Sequence, residues 1–173
     1  MTQHDPEKSI HAGESVLFIG TDKPQVITAM VHYLASCDKA MSVFVTDEAD
    51  MPLFATFCQS GQVKMTLALW HEPTASLREF HHMPMLIWSS VTPHNMADYI
   101  TALHQGQVIA TLFAQNPDEA LAQLCDVLRG QMPKLSPQDA HRRIARQLPY
   151  IAQVTPTQTR FIKTATMLYE GEK

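Results

Sequence analysis

The sequence predicts an α/β protein built on an open, mostly parallel sheet of five to seven strands, with helices on both faces. Short apolar runs alternate along the chain with segments whose apolar residues recur at helical spacing. Several of these runs are apolar throughout, which is typical of parallel strands that are covered on both faces. Capping and turn residues separate the two kinds of segment. Together these observations favour a three-layer architecture.

The first half of the chain is predicted to begin with strand Val16–Ile19, which ends at Gly20. Thr21 or Asp22 is expected to cap the following helix, and Pro24 fits its first turn because the missing N–H is not needed there. Apolar residues then recur every three or four positions up to residue 34. The next predicted elements are strand Met41–Thr46, helix Asp50–Gln59, strand Gln62–Leu69 and a buried central strand, Met85–Trp88.

The second half contains clearer helix boundaries. Asn116 is expected to cap a helix, with Pro117 at its first position and Glu119 reaching back to the cap amide. The predicted order is a helix from Thr92-Pro93 to Gly106, strand Gln107–Phe113, a helix from Asn116 to Gly130, a helix from Ser136 to Pro149, and a closing strand Arg160–Leu168.

The length of 173 residues fits one domain. We predict a loose leader over residues 1–14, a single domain over 15–168 and a loose tail over 169–173. The net charge is −4, from 13 basic and 17 acidic residues, so binding to nucleic acid is not expected. Apolar runs are far too short to insert into a membrane. No signal pattern precedes the domain, and three scattered cysteines indicate a reducing compartment, so we expect a cytoplasmic protein.

The turn after the first strand is the usual place for a phosphate-binding loop, G-x-x-x-x-G-K-[ST]. Counting from Gly20, the second glycine position falls on Gln25; counting back from Lys23, a glycine position falls on Asp22 and the hydroxyl position on Pro24. Neither register fits. Asp22 adds a negative charge where phosphate would lie, so Lys23 is interpreted as a solvated turn residue.

Two other polar clusters have competing interpretations. The run Asp47-Glu48-Ala49-Asp50 follows the second strand and could hold a divalent ion, but helix capping explains it more simply. The adjacent His81-His82 pair lacks the spacing of a zinc site, so no metal or cofactor is predicted. Arg142, Arg143 and Arg146 form the only basic cluster, which could dock an acidic partner or simply be a solvated helix face.

The order of these elements resembles the RecA-like motor domain of the secretion ATPase superfamily, which drives pilus retraction and type II or type IV secretion. The likeness is strongest over residues 99–128, and Asp139–Val154 resembles the helix that follows the motor core. The nucleotide motifs depart from the family pattern. Its Glu-Asp pair corresponds to Thr46-Asp47, its acid after the central strand falls in Ser89-Ser90-Val91, and its histidine corresponds to Phe113.

The resemblance therefore implies a RecA-like or P-loop-like fold without the motor chemistry. It suggests a non-catalytic pseudo-ATPase that acts as an interaction or regulatory subunit of a bacterial pilus, secretion or conjugation machine. The expected partners are proteins, in a larger membrane-associated assembly or in a homo-oligomer. The alternative is an unorthodox nucleotide-binding protein or NTPase that uses Thr21, Lys23 and Asp47 and is completed by a neighbouring subunit.

Overall fold

The computed structural model describes residues 6–37, 40–58, 63–67 and 85–167. The helices are α1 (Pro6–His11), α2 (Lys23–Leu34), α3 (Met51–Cys58), α4 (Met96–Gln105), α5 (Pro117–Gln131) and α6 (Pro137–Gln147). The strands are β1 (Val16–Gly20), β2 (Met41–Val45), β3 (Val63–Leu67), β4 (Met85–Val91), β5 (Gln107–Phe113), β6 (Tyr150–Val154) and β7 (Thr159–Lys163). Short 3-10 turns cover Glu48–Asp50 and Thr164–Thr166.

The described strands form a seven-stranded sheet in the order β3-β2-β4-β5-β1-β6-β7. All neighbouring pairs are parallel except β6 and β7, which are antiparallel. Strand β1 lies near the middle, between β5 and β6. This arrangement confirms the predicted mostly parallel α/β architecture.

Two separate apolar cores cover the two faces of the sheet. Alternate residues of β1 point to opposite faces, so Leu17 and Ile19 enter one core while Val16 and Phe18 enter the other. Helices α4, α5 and α6 cover the first face, and α2 and α3 cover the second. All residues of β1 and β2 are buried, which explains why β1 is an apolar run and why β2 is apolar except for Ser42.

The structure confirms one prediction for the chain beyond residue 136 and corrects two others. The helix predicted from Ser136 to Pro149 is confirmed as Pro137–Gln147, and it stops before Pro149, which has no N–H to continue the helical ladder. The likeness of Asp139–Val154 to a single helix is wrong beyond Gln147. Residues 150–154 instead form β6, which pairs with β1. The expected closing strand Arg160–Leu168 is β7 over Thr159–Lys163, followed by a 3-10 turn and not by further strand.

Strands β6 and β7 are antiparallel, and a short turn with its own hydrogen bonds joins them. The Thr155 N–H donates to the Gln158 carbonyl at 2.9 Å, and the Gln158 N–H donates to Thr155 Oγ1 at 3.2 Å. A connection this short can join only antiparallel neighbours, since a parallel return needs a crossover.

The segment before β1 differs from the loose leader predicted there. Helix α1 buries Ile10, which is 1% exposed. The Gln107 side chain donates from Nε2 to the carbonyls of Ile10 and Glu14 at 2.8 and 2.9 Å. The Val108 N–H donates to Ser15 Oγ at 2.9 Å. Residues 6–15 are therefore attached to the start of β5, while residues 1–5 and the predicted tail lie outside the described residues.

Candidate functional site

Ligands of open parallel sheets bind at the carboxyl ends of the strands, so that edge is the candidate site. The predicted nucleotide residues Thr21 and Lys23 follow β1, and Asp47 follows β2. The structure brings two of them together, with Lys23 Nζ 3.3 Å from Asp47 Oδ2. Thr21 is exposed in the turn after β1.

The connection from β1 to α2 consists only of Thr21 and Asp22. Asp22 caps the helix, and its Oδ1 accepts a hydrogen bond from the Gln25 N–H at 3.1 Å. Pro24 lies in the first turn and contributes no N–H. A carboxylate of the chain itself thus occupies the helix N-terminus, which is where phosphate binds in nucleotide-binding loops.

Lys23 is half-buried in an ion pair rather than solvated, which corrects the interpretation from sequence. Its Nζ lies 3.0 Å from Asp50 Oδ2, in addition to its contact with Asp47. The side chains of Lys23, Asp47 and Asp50 are 37%, 53% and 5% exposed. Asp50 is therefore the buried partner, while Asp47 caps the 3-10 turn by accepting from the Ala49 N–H at 3.0 Å. The lysine charge is balanced by two carboxylates.

Burial and pairing shift the pKa values of all three groups. Burial raises the pKa of Asp50, and the contacts with Lys23 and Ser89 offset this only in part. The Ala49 N–H, followed by Lys23, lowers the pKa of Asp47. Burial acts to lower the pKa of Lys23, but the two carboxylates outweigh it and the net pKa is raised. Lys23 thus stays protonated at neutral pH.

The carboxyl end of β4 is occupied by an internal hydrogen-bond network. Ser89 is fully buried, its Oγ accepts from the Thr46 N–H at 3.0 Å, and its carbonyl accepts from Thr111 Oγ1 at 2.5 Å. The next carbonyl, of Ser90, accepts from Trp88 Nε1 at 3.2 Å and Asn95 Nδ2 at 3.3 Å. The β4–β5 register shifts at this point. Neutral groups that bond to one another thus lie where the sequence resemblance places an acid.

Phe113 is the most exposed large apolar side chain of the described residues, at 63%. It ends β5 directly beside Gly20, its register partner in β1. The Ala114 N–H donates to the Gly20 carbonyl at 3.2 Å, which extends the pairing past the strand end. Exposed carboxylates follow the ends of β1, β2 and β5: Asp22, Asp47, Glu48, Asp118 and Glu119. This edge of the sheet is acidic.

The three arginines of the basic cluster lie on α6, outside the candidate site, and they do not all line the same surface. Arg142 and Arg146 line a groove between α6 and the segment after β7. Arg143 instead lies with Nη1 3.5 Å from Met132 Sδ. Sequence reasoning grouped the three arginines because they are close in the chain. Their separation depends on the residues that pack beside α6, which helical spacing alone does not identify.

Within the described residues, no group of three His, Cys, Asp or Glu side chains has the geometry to hold a metal ion. The Asp47 and Asp50 carboxylates that the sequence suggested as ion ligands are bridged by Lys23. The His81-His82 pair lies outside the described residues. Among the helices of the described residues, none has the length and the hydrophobicity of a membrane span.

Lys23→Met is expected to lower the free energy of unfolding by about 1–2 kcal/mol near neutral pH, since it leaves Asp50 buried without its cation; the figure allows for the partial exposure of Lys23. The variant removes the attraction that holds the pKa of Asp50 down, so this pKa rises further above its unfolded value. The loss of stability is therefore largest at pH values above the pKa of Asp50 in the folded variant. It shrinks as the pH falls through that pKa, because the carboxyl then becomes neutral.

Urea unfolding of the Lys23→Met variant and the parent, near pH 7 and near the ordinary carboxyl pKa of about 4, measures this effect. The double variant Lys23→Met/Asp50→Asn is the control, because it removes both charges and should lose the pH dependence. A cost that is equal at both pH values would show that it does not arise from the ionised Asp50 carboxylate left without its cation.

Neither a family model nor a curated protein matches the chain. Solved structures do match. The VirB11 ATPase of the Brucella suis type IV secretion system, in complex with sulphate, aligns with a TM-score of 0.66 and 11% identity, over 96% of this chain and 51% of VirB11. The pilus retraction motor PilT with bound ADP aligns with a TM-score of 0.60 and 11% identity, over 92% of this chain and 49% of PilT.

These alignments show that the fold resembles the RecA-like ATPases of secretion and pilus machines. The chain spans about half the length of each of these two proteins. At 11% identity the likeness establishes the fold alone. The activity has to be argued from the residues at the carboxyl edge of the sheet.

Proposed function

We propose that this chain is a non-catalytic, RecA-like subunit that acts through protein contacts, as an interaction or regulatory component of a bacterial secretion, pilus or conjugation machine. The machine is suggested by the structural neighbours, which are an ATPase of a type IV secretion system and a pilus retraction motor. We further propose that it works in the cytoplasm, beside a larger membrane-associated assembly.

The observation that carries the proposal is the state of the α2 N-terminus. A bound phosphate needs free backbone N–H groups and an unpaired cation at this point. Here Asp22 accepts from the Gln25 N–H, and Lys23 is paired with Asp47 and Asp50. To bind there, the phosphates of a nucleotide would have to displace the Asp22 carboxylate and compete with two further carboxylates for Lys23. Each of these carboxylates would repel the negative charge of the phosphates.

The end of β4 supports the same conclusion. Phosphoryl transfer depends on a magnesium ion and on a residue that orients the attacking group. Ser89 and Ser90 offer no carboxylate there, and their polar groups are engaged with Thr46, Thr111 and neighbouring donors. The positions that would carry out the chemistry of a motor domain are thus engaged in internal hydrogen bonds and ion pairs, within a hydrophobic framework of the same fold.

The test is a thermal melt with and without millimolar Mg-ATP and Mg-ADP, followed by calorimetry and an ATPase assay. A ligand at 100 times its Kd would stabilise the fold by about 2.7 kcal/mol, which is roughly 5–10 °C for a domain of this size. We expect a shift below about 1 °C, within the spread of such melts. Mg²⁺ without nucleotide serves as the control for ionic effects.

The alternative, a nucleotide-binding protein completed by a neighbouring subunit, predicts a different result. It requires a large shift or ATP turnover that is lost in Lys23→Ala or Asp47→Ala. Asp22→Ser is the matched comparison, because it keeps a capping oxygen and removes the charge. A nucleotide-dependent shift in the parent protein would overturn the proposed function, and a shift seen only in Asp22→Ser would support it.

A further inference from the structure

A groove of about 400 Å³ runs between helix α6 and the segment that follows β7. One wall carries Gln138, His141, Arg142 and Arg146, and the other carries Thr166 and Met167. The His141 Nε2 lies 2.9 Å from the Thr164 carbonyl oxygen. Because a carbonyl oxygen only accepts, Nε2 carries the hydrogen, and this bond joins the two walls at a fixed distance.

The groove is basic although the chain as a whole carries a net charge of −4. Arg142 is 3.5 Å from Asp139, an exposed pair on adjacent turns of α6. Asp139 is also engaged by the Ser136 hydroxyl, which donates to it at 2.8 Å. Arg146 has no ion pair within the described part of the chain. Two arginines therefore line the groove, and of these only Arg142 contacts a carboxylate, that of Asp139, within the described residues.

We propose that this groove binds an acidic segment of a partner protein, in an extended conformation with carboxylates at alternate positions. The inference rests on the proposed function, since it assigns the surface through which a non-catalytic subunit would act. Arg142 and Arg146 are four residues apart on a helix, which is about 6 Å along its axis. Alternate side chains of an extended segment point the same way and are separated by about 6.6–6.8 Å. The two spacings match.

The shape and lining of the groove favour a protein segment over a free inorganic anion. Ala145, Ala165 and the largely buried Met167 add apolar surface to the lining. An inorganic anion would gain nothing from that surface, whereas a peptide buries its own apolar atoms against it. The Thr166 hydroxyl at the rim already donates to the Lys163 carbonyl at 2.8 Å, so the arginines supply the charge recognition.

The test uses a fluorescent peptide of alternating Glu and Thr, titrated with the full chain and followed by anisotropy. Two control peptides keep the length: one replaces Glu with Gln, and the other groups the same residues into one Glu block and one Thr block. The variants are Arg142→Gln and Arg146→Gln. Arg143→Gln is the matched control, because it makes the same charge change on the same helix outside the groove.

We expect the alternating peptide to bind, and Arg146→Gln to weaken its Kd by about five- to tenfold, as the loss of a charge-assisted hydrogen bond predicts. Arg142→Gln should have a smaller effect, since Asp139 already engages that side chain. Arg143→Gln should change the Kd by less than about twofold, as expected for an exposed charge that does not line the groove. Unchanged melting temperatures would confirm that the exposed arginine variants remain folded.

Several results would overturn the inference. Equal losses in Arg143→Gln and Arg146→Gln, or equal binding of the block peptide, would indicate general charge attraction. Competition by inorganic phosphate near the peptide Kd would assign the groove to a small anion. Self-association that Arg146→Gln abolishes would assign it to a second copy. The nucleotide melt is independent of these measurements, so failure of the groove and failure of the proposed function can be told apart.

Discussion

Replacing Trp88 with alanine is expected to lower the free energy of unfolding by about 3–5 kcal/mol. The indole is fully buried, and its ring centroid lies 4.7 Å from that of Phe44 and 5.9 Å from that of Tyr99. Removing it opens a cavity between the sheet and α4 and deletes the hydrogen bond from Nε1 to the Ser90 carbonyl. The carboxyl end of β4 should therefore loosen together with the core beneath it. Urea unfolding measures the loss.

Trp88→Phe is the matched control for this prediction. It keeps most of the buried apolar volume and removes only the indole N–H, and the Ser90 carbonyl still accepts from Asn95 and Thr46. We expect it to cost less than half as much as alanine, since the cavity dominates large-to-small changes. An alanine variant that lost under about 1 kcal/mol would mean that the aromatic cluster is not packed as described.

Gly20→Ala is expected to destabilise the protein by about 1–3 kcal/mol, through overpacking at the end of β1. An added Cβ would lie 2.6 Å from Val26 Cγ2 and 3.0 Å from the Val154 carbonyl oxygen. The second contact is with backbone, which cannot move aside cheaply. For a domain of this size the loss corresponds to roughly 2–4 °C in melting temperature per kcal/mol.

Gly130→Ala is the opposite case and serves as the control for Gly20→Ala. Gly130 lies inside α5, and a Cβ there would meet nothing within 4 Å. Alanine should therefore raise the stability by about 0.5–1 kcal/mol, because it restricts the unfolded chain and suits a helix. If both glycine variants changed the melting temperature in the same direction, close packing at Gly20 would not be the reason for a glycine there.

Local signals allowed the order of most elements to be predicted from sequence. Asp22 caps α2, and Asn116 Oδ1 accepts from the Glu119 N–H at 2.9 Å to cap α5. One detail differs, because Glu119 Oε2 accepts from the Gln115 N–H at 2.7 Å and not from the cap amide. These features depend on residues within four positions of one another, which is the range that a sequence pattern describes.

The features that were missed depend on long-range packing. Strand β6 contains Gln153 and follows a helix closely, so its local pattern does not distinguish it from helix; its pairing with β1 determines its structure. Asp50 was considered only as a cap or ion ligand, because its burial against Lys23 arises from the approach of two separate loops. Arg146 could not be separated from Arg143 for the same reason.

The position of β1 in the sheet also determines when this protein can fold during synthesis. Both hydrogen-bonding edges of β1 are filled by strands made much later, β5 and β6. While the ribosome is still translating α4, the buried apolar residues of β1 have no strand beside them. We therefore expect the sheet to close only after β6 leaves the exit tunnel, so that until then β1 is an unpaired apolar segment of the nascent chain.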